Sequence, residues 1–165
     1  MLVSYIGNFV GCLILTLIFV WAGAAGTKDY FAGFINNKLS IPLGEMFFRA
    51  VLCNFFVCLG VLCGIKLKSE AAKILMIIMC ISGFVISGFE HSIANMSTFV
   101  AAYCLVPGLS VTAMLKSMLV VTVGNMVGGA VLLAWPLRKM SADQYGKSFI
   151  HSRKAKRGAG VCKSS

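Results

Sequence analysis

The stretch SGFEHSIANM, residues 87–96, places a glutamate and a histidine side by side inside an apolar segment, residues 74–106. A continuous helix over this segment would be about 50 Å long at 1.5 Å per residue, well beyond the roughly 30 Å of a hydrocarbon core. Small and polar residues gather in its middle: Gly83, Ser87, Gly88, Glu90, His91, Ser92 and Asn95. The sequence therefore predicts two half-helices, about 74–86 and 92–106, joined by a non-helical break over residues 87–91.

The break is a candidate functional site because ionisable side chains are costly inside a bilayer. Non-helical backbone at membrane depth is tolerated where protein or a water-filled cavity surrounds it, as at the broken helices of transporters. His91 precedes the half-helix that begins at Ser92, whose amide groups and positive dipole end favour an anion. The alternative is a histidine bonded to a carbonyl group for packing alone. We expect Glu90 to lie behind His91, accepting hydrogen bonds or pairing with a cation.

The composition indicates an all-α integral membrane protein. Hydrophobic residues make up 59% of the 165-residue chain and charged residues 12%, against about 25% charged residues in a soluble domain. Four apolar segments are long enough to cross a bilayer: residues 2–23, 46–65, 74–106 and 111–137. The sequence thus predicts four spans, of which the third is broken at 87–91.

The positions of the basic residues predict the orientation. The loop 66–73 holds three lysines and one glutamate, and eight of the fifteen Lys and Arg residues follow Leu137. Cytoplasmic flanks are rich in Lys and Arg, so both termini are expected in the cytoplasm and the loop 24–45 outside. We expect residues 138–165 to form a disordered basic tail, which could contact anionic lipid headgroups. The net charge of +10 accompanies no nucleic-acid-binding motif, so no nucleic-acid partner is expected.

Metal, cofactor and enzyme chemistry find little support in the sequence. The seven cysteines form no CxxC pair and no Cys/His cluster with ligand spacing. Six of them lie within apolar segments, where packing between helices is their expected role, and Cys162 lies in the tail. Glu90 and His91 could act as acid and base in a membrane-embedded enzyme, but no nucleophile or cofactor motif accompanies them. We therefore expect no metal, no cofactor and no enzymatic activity.

A short repeat relates the first span to the last. Residues 7–11 read GNFVG and residues 124–128 read GNMVG, and each contains a G-x-x-x-G spacing that permits close helix approach. The two spans are expected to cross in opposite directions, as an inverted repeat requires, although generic small-residue packing is an alternative. The last span follows a straight span and a broken span. The repeat therefore predicts the same pair before the first span, and two spans are expected to be absent from this chain.

Polar residues elsewhere in the spans have simple structural explanations. Asn54 and Asn125 are the intramembrane amides, and interhelical hydrogen bonding explains them as well as a pore role does. Arg49 and Lys116 lie near span ends and are expected to reach the membrane interface.

These motifs together resemble those of the formate/nitrite transporter family. SGFEHSIANM is similar to the family signature, and three further stretches resemble its fourth-, sixth- and third-helix motifs: RAVLCNFFVCL (49–59), GNMVGG (124–129) and LVSYIGNFVG (2–11). The resemblance covers residues 2–137. It implies an aquaporin-like fold of six spans in two inverted repeats, assembled as a homopentamer with one pore per protomer. It also implies a bacterial inner or plasma membrane protein that passes formate, nitrite or hydrosulfide, with proton coupling in some members.

The resemblance implies roles for individual residues. His91 matches the central pore histidine, and Glu90 and Asn54 match polar residues that link this histidine to an outer-loop lysine, here Lys38. Lys38 would draw anions towards the outer vestibule, as a cation in a cleft does. The other matches are Phe84 and Val57 in the outer constriction and Asn125 near the pore.

The sequence leaves three functions open. The first is a channel or transporter for small monovalent anions, with formate or nitrite favoured, hydrosulfide as the alternative, and either passive or proton-coupled flux. The second is a truncated non-conducting remnant or a regulatory membrane subunit, because the family's first two spans are expected to be absent. The third is the enzyme using Glu90 and His91, which the lack of further motifs disfavours.

Overall fold

The computed structural model describes residues 2–23, 26 and 28–142 of the chain, and these residues contain helices and no strand. Within them six helices follow in order: α1 (Leu2–Trp21), α2 (Lys28–Leu39), α3 (Leu43–Lys66), α4 (Glu70–Ile86), α5 (Ser92–Leu105) and α6 (Val111–Val127). A π-helical stretch, Gly128–Ala134, continues α6. The protein is therefore all-α, as the sequence predicts.

Helix length and exposed surface identify a multi-pass membrane protein. Among the described residues, three helices are long and apolar enough to span a bilayer: Val3–Trp21, Leu43–Lys66 and Val111–Ala142. Many large apolar side chains on these helices are exposed to the surroundings, among them Val3, Ile65 and Leu119. In a membrane such side chains face lipid or neighbouring helices instead of water. The shorter α4 and α5 together occupy the segment that the sequence assigns to the broken span.

The backbone between α4 and α5 follows a recognisable helix-ending pattern. The amide of Gly88 donates to the Val85 carbonyl and that of Phe89 to the Phe84 carbonyl, at 3.1 and 3.0 Å. This is the Schellman arrangement, which places one residue in the left-handed region, and Gly88 occupies it with φ +65°. Glycine has no Cβ to oppose that conformation. Residues 87–91 therefore lie outside both helices, and α5 begins at Ser92.

Two segments differ from the sequence prediction. The predicted loop 24–45 contains α2, whose Asp29 and Lys38 complement the helix dipole at its two ends. The last helix extends beyond the predicted limit of residue 137 to Ala142, so the first residues of the predicted tail are helical. Pro136 removes one amide donor, and the preceding π-helical stretch accommodates it, with the Trp135 amide reaching back to Ala130. The rest of the predicted tail, residues 143–165, lies outside the described residues.

The core of the fold is the contact between α3 and α6. Met46 and Ala50 of α3 pack with Val121 of α6 in one buried cluster. A Cβ built on Gly124 would lie 2.7 Å from both the Ala50 Cβ and the Phe47 carbonyl oxygen, so a glycine is required for this approach. The GNMVG motif thus serves as a helix-packing surface.

The other copy of the repeat has different surroundings. No heavy atom within the described residues would lie within 4 Å of a Cβ built on Gly7 or Gly11, apart from their own helix and chain neighbours. The GNFVG face of α1 is therefore open in this structure, whereas its counterpart on α6 is fully packed.

Gly128→Ala is expected to destabilise the protein by about 2–3 kcal/mol because the added methyl would overlap the Val51 carbonyl group on α3. The matched control is Gly33→Ala on α2, where no described atom lies within 4 Å of the new Cβ and the higher helix propensity of alanine is favourable. Thermal unfolding of the detergent-solubilised protein measures both. Equal midpoints for Gly128→Ala and the unsubstituted protein would contradict the close α3–α6 contact.

Candidate functional site

A partly open cavity of about 520 Å³ lies beside the break and is bounded by α2, α3, α4 and α5. Its lining includes five of the predicted site residues: Lys38, Phe84, Gly88, Glu90 and His91. The structure therefore brings together residues that are up to 53 positions apart in the chain. The rest of the wall combines apolar side chains, among them Phe34 and Phe89, with the polar side chains of Asn37, Arg49, Asn95 and Thr98.

Lys38 and Glu90 form a buried ion pair at the cavity wall. The Lys38 Nζ lies 2.7 Å from each carboxylate oxygen of Glu90, and the two side chains are 11% and 2% exposed. Lys38 stands in the last turn of α2, which brings it across to the break. Asn95 adds a hydrogen bond from Nδ2 to Oε2 of Glu90 at 2.8 Å. The carboxylate is thus paired and hydrogen-bonded, as a buried charge requires.

This pairing changes the expected role of Lys38. The sequence analysis expects it to present a positive charge to incoming anions. In the structure its ammonium group contacts both Glu90 oxygens, and it also lies over the Phe34 ring at 5.5 Å from the centroid. The opposite charges of the pair largely cancel at a distance, so Lys38 contributes little net attraction to the cavity.

His91 occupies the N-cap position of α5. Its Nδ1 accepts a hydrogen bond from the Ala94 amide at 3.4 Å, and its ring stacks on Phe84 with 6.1 Å between centroids. In a neutral imidazole whose Nδ1 accepts, the proton is carried by Nε2, which is then a donor. The ring is half-buried and lines the cavity. The structure thus shows an amide contact for His91 in place of the carbonyl bond of the packing alternative.

Side chains accept hydrogen bonds from two of the free backbone amide groups at the start of α5. The Ser92 amide donates to Oδ1 of Asn125 at 2.9 Å, while His91 accepts from the Ala94 amide. An anion would therefore find fewer free amide groups here than the sequence predicts. The hydrogen-bond donors available to an anion are then mainly the side chains that face the cavity.

Asn125 and Asn54 connect the break to α3 behind the cavity. Asn125 Nδ2 donates to the carbonyls of Ala50 and Glu90, at 2.8 and 2.9 Å. Asn54 Nδ2 donates to the Asn125 carbonyl at 2.6 Å. Neither asparagine lines the cavity, and neither does the half-buried Val57 of the predicted constriction. The interhelical role considered for the asparagines describes their contacts. The amide that binds the Glu90 carboxylate beside Lys38 belongs to Asn95.

The sequence analysis assigns no role at the site to two of the cavity residues, Asn95 and Arg49. Asn95 is 1% exposed and one turn into α5, and the sequence analysis notes it only as a residue unsuited to a lipid-facing helix. Arg49, which the sequence analysis expects near the interface, also lines the cavity. Its Nε donates to Glu45 at 3.0 Å, and a terminal nitrogen lies 3.5 Å from the Gly88 carbonyl oxygen. Among the described residues, no group of His, Cys, Asp or Glu side chains is arranged to hold a metal ion.

Comparison with known proteins places most of the described helical region within one family model. The model described as formate/nitrite transporter matches residues 1–138. The chain is 34% identical over 146 residues to the uncharacterized transporter YwcJ of Bacillus subtilis, covering 86% of this chain and 57% of the relative. It is 29% identical over 136 residues to the nitrite transporter NirC of Escherichia coli, covering 79% and 50%.

A solved structure described as a pentameric formate channel with formate bound shares the fold. It superimposes with a TM-score of 0.73 at 25% identity, covering 84% of this chain and 64% of that one. The chain spans about half the length of the curated relatives it matches.

Proposed function

The chain belongs to the formate/nitrite transporter family, and from that premise we propose that it forms part of a transmembrane path for small monovalent anions. Formate and nitrite are the proposed substrates, with hydrosulfide as the alternative. The path runs along the cavity beside the break, and His91 is the group that contacts the anion there. The family consists of transporters, so an enzymatic role for Glu90 and His91 is not proposed.

The observation that carries this proposal is the charge and hydrogen-bonding character of the polar groups in the cavity. Among the residues that the structure describes, Glu90 is the only acidic one that lines the cavity, and Lys38 and Asn95 already bind its carboxylate. The strongest donors left for a solute are the Arg49 guanidinium and the His91 Nε2–H, and the other polar side chains on the wall, Asn37 and Thr98, are neutral. A site that offers donors and no free carboxylate favours an anion over a cation.

The cavity wall supports a small and weakly hydrated solute. Phe34, Phe84 and Phe89 line it, and apolar constrictions exclude ions that retain a full hydration shell. A hydrogen bond from His91 lowers the cost of removing water from a monovalent anion. A histidine also exchanges protons near neutral pH, and we propose that anion passage can be linked to a proton at this residue.

The proposed oligomeric assembly and membrane location rest on the same family membership. We propose a homopentamer on the basis of the pentameric formate channel with the same fold. The basic loop 66–73 and the cations after Leu137 support cytoplasmic termini in a bacterial inner or plasma membrane. We further propose that helices beyond those described complete the pore wall by packing on the open face of α1 around Gly7 and Gly11, as α3 packs on α6.

The proposal is tested by anion flux into liposomes that contain the purified protein. Formate, nitrite and hydrosulfide are compared with divalent sulfate at two pH values, and an internal pH dye reports proton movement. We expect formate and nitrite to enter much faster than sulfate. Rates equal to those of protein-free liposomes for every anion would overturn the proposal and favour the non-conducting alternative.

A further inference from the structure

In the described part of the chain, two cationic side chains line the cavity, and their charges are compensated differently. Lys38 is held in a closed pair by Glu90, whose side chain is 2% exposed. Arg49 pairs with Glu45, one turn earlier on α3, and that carboxylate is 51% exposed. An exposed pair contributes little because both partners are also solvated. The guanidinium of Arg49 is therefore the cation that a solute entering the cavity can reach.

The Arg49 guanidinium has donors beyond those its partners use. Nε and one terminal nitrogen donate to the same Glu45 oxygen. The other terminal nitrogen lies 3.5 Å from the Gly88 carbonyl oxygen, at the limit of a hydrogen bond. Considering the described residues only, part of the guanidinium fork thus remains available for a ligand.

The geometry of the fork selects among the proposed anions. A guanidinium presents parallel N–H groups that match two oxygens of one planar group. Formate and nitrite are planar and carry two oxygens on one central atom, whereas hydrosulfide offers a single sulfur. Arg49 would bind the first two with paired hydrogen bonds and the third as a simple ion.

The contact with Gly88 places this fork at the break, three residues before His91, on the wall of the same cavity. Resting on the proposed function, we propose that Arg49 forms a separate anion-binding subsite that selects planar two-oxygen anions before they reach His91. The entering anion binds the unused donors of the guanidinium, while the exposed Glu45 carboxylate, which holds Nε and one terminal nitrogen, neutralises the same positive charge. Glu45 therefore competes with substrate for the charge of the guanidinium.

The test compares half-saturation concentrations for formate and hydrosulfide in liposomes. Arg49→Gln is expected to raise the formate value about tenfold, which corresponds to losing one charge-assisted interaction, and to change the hydrosulfide value much less. Arg49→Lys keeps the charge but loses the fork, so it should recover formate binding only in part. Glu45→Gln removes the competitor and is expected to lower the formate value. Lys116→Gln, an equal charge change at an exposed α6 position outside the cavity, is the control and should change neither value.

The outcomes separate this subsite from the proposed function. Absence of flux in the unsubstituted protein would overturn the function itself. Flux in that protein, with formate half-saturation unchanged in Arg49→Gln, would overturn the subsite alone. Equal changes for formate and hydrosulfide would also overturn it, since they indicate that Arg49 only holds Gly88 in place. If Arg49→Gln does not fold, an unchanged formate value in Glu45→Gln decides against the subsite.

Discussion

His91→Phe is expected to lower formate flux roughly 10- to 100-fold, because the cavity then loses the Nε2–H donor nearest the start of α5. A hydrogen bond to a charged partner contributes about 1.5–3 kcal/mol, which corresponds to that range of rates. Phenylalanine also removes the Nδ1 acceptor that caps α5 at the Ala94 amide. Formate uptake by liposomes, with protein amounts matched, measures the effect.

His91→Asn separates the chemistry of the anion path from the capping role. Asparagine is a strong N-cap and has an amide donor, but it cannot take up a proton. We expect passive formate flux to persist in this variant while any proton-linked part disappears, which an internal pH dye reports. Unchanged flux in His91→Phe would remove His91 from the path. Equal loss of flux in both variants, together with equal loss of stability, would leave His91 only a structural role.

The second large effect concerns the buried pair. Lys38→Met and Glu90→Gln are each expected to destabilise the protein by about 3–5 kcal/mol, because each leaves the partner's charge buried and unpaired. The double variant has no buried charge, and Gln at position 90 can still accept a hydrogen bond from Asn95. It should therefore be more stable than either single variant.

Thermal unfolding of the purified variants measures this coupling. The matched control is the Glu70–Lys73 pair at the start of α4, which has the same charges but an exposed carboxylate. Glu70→Gln should leave the unfolding midpoint nearly unchanged, because exposed pairs contribute little. Additive losses in the Lys38/Glu90 double variant would show that the two side chains do not interact in the membrane-embedded protein.

Hydropathy and helix length predict the long elements well because they depend on local sequence. The interruption at 87–91 is expected from a segment too long for one span and from Gly88, and α4 ends at Ile86 with α5 beginning at Ser92. α2 is not predicted because its apolar content is modest and charged residues stand at both of its ends. Its burial depends on a distant cluster, in which Ile35 packs with Phe99 and Met114.

The sequence predicts that the site residues need polar partners, but it does not predict which residues those partners are. A carboxylate within a span needs a cation or donors, so a partner for Glu90 is expected, yet Lys38 lies 52 residues away and only the family resemblance points to it. The contacts of Asn125 are made with the backbone carbonyls of Ala50 and Glu90, which no residue pattern encodes. The sequence places Arg49 near a span end, and only the tertiary structure shows that it also lines the cavity beside the break.

Protection of a cavity cysteine by formate tests most directly whether the cavity at the break is the anion path. Ala94 is exposed and lines the cavity next to His91, so Ala94→Cys gives a small negatively charged thiol reagent a target there. The unsubstituted protein, with its native cysteines including exposed Cys104, is the background control. We predict that the reagent blocks formate flux through Ala94→Cys and that added formate slows this reaction. Complete modification of Cys at position 94 with unchanged formate flux would contradict the account.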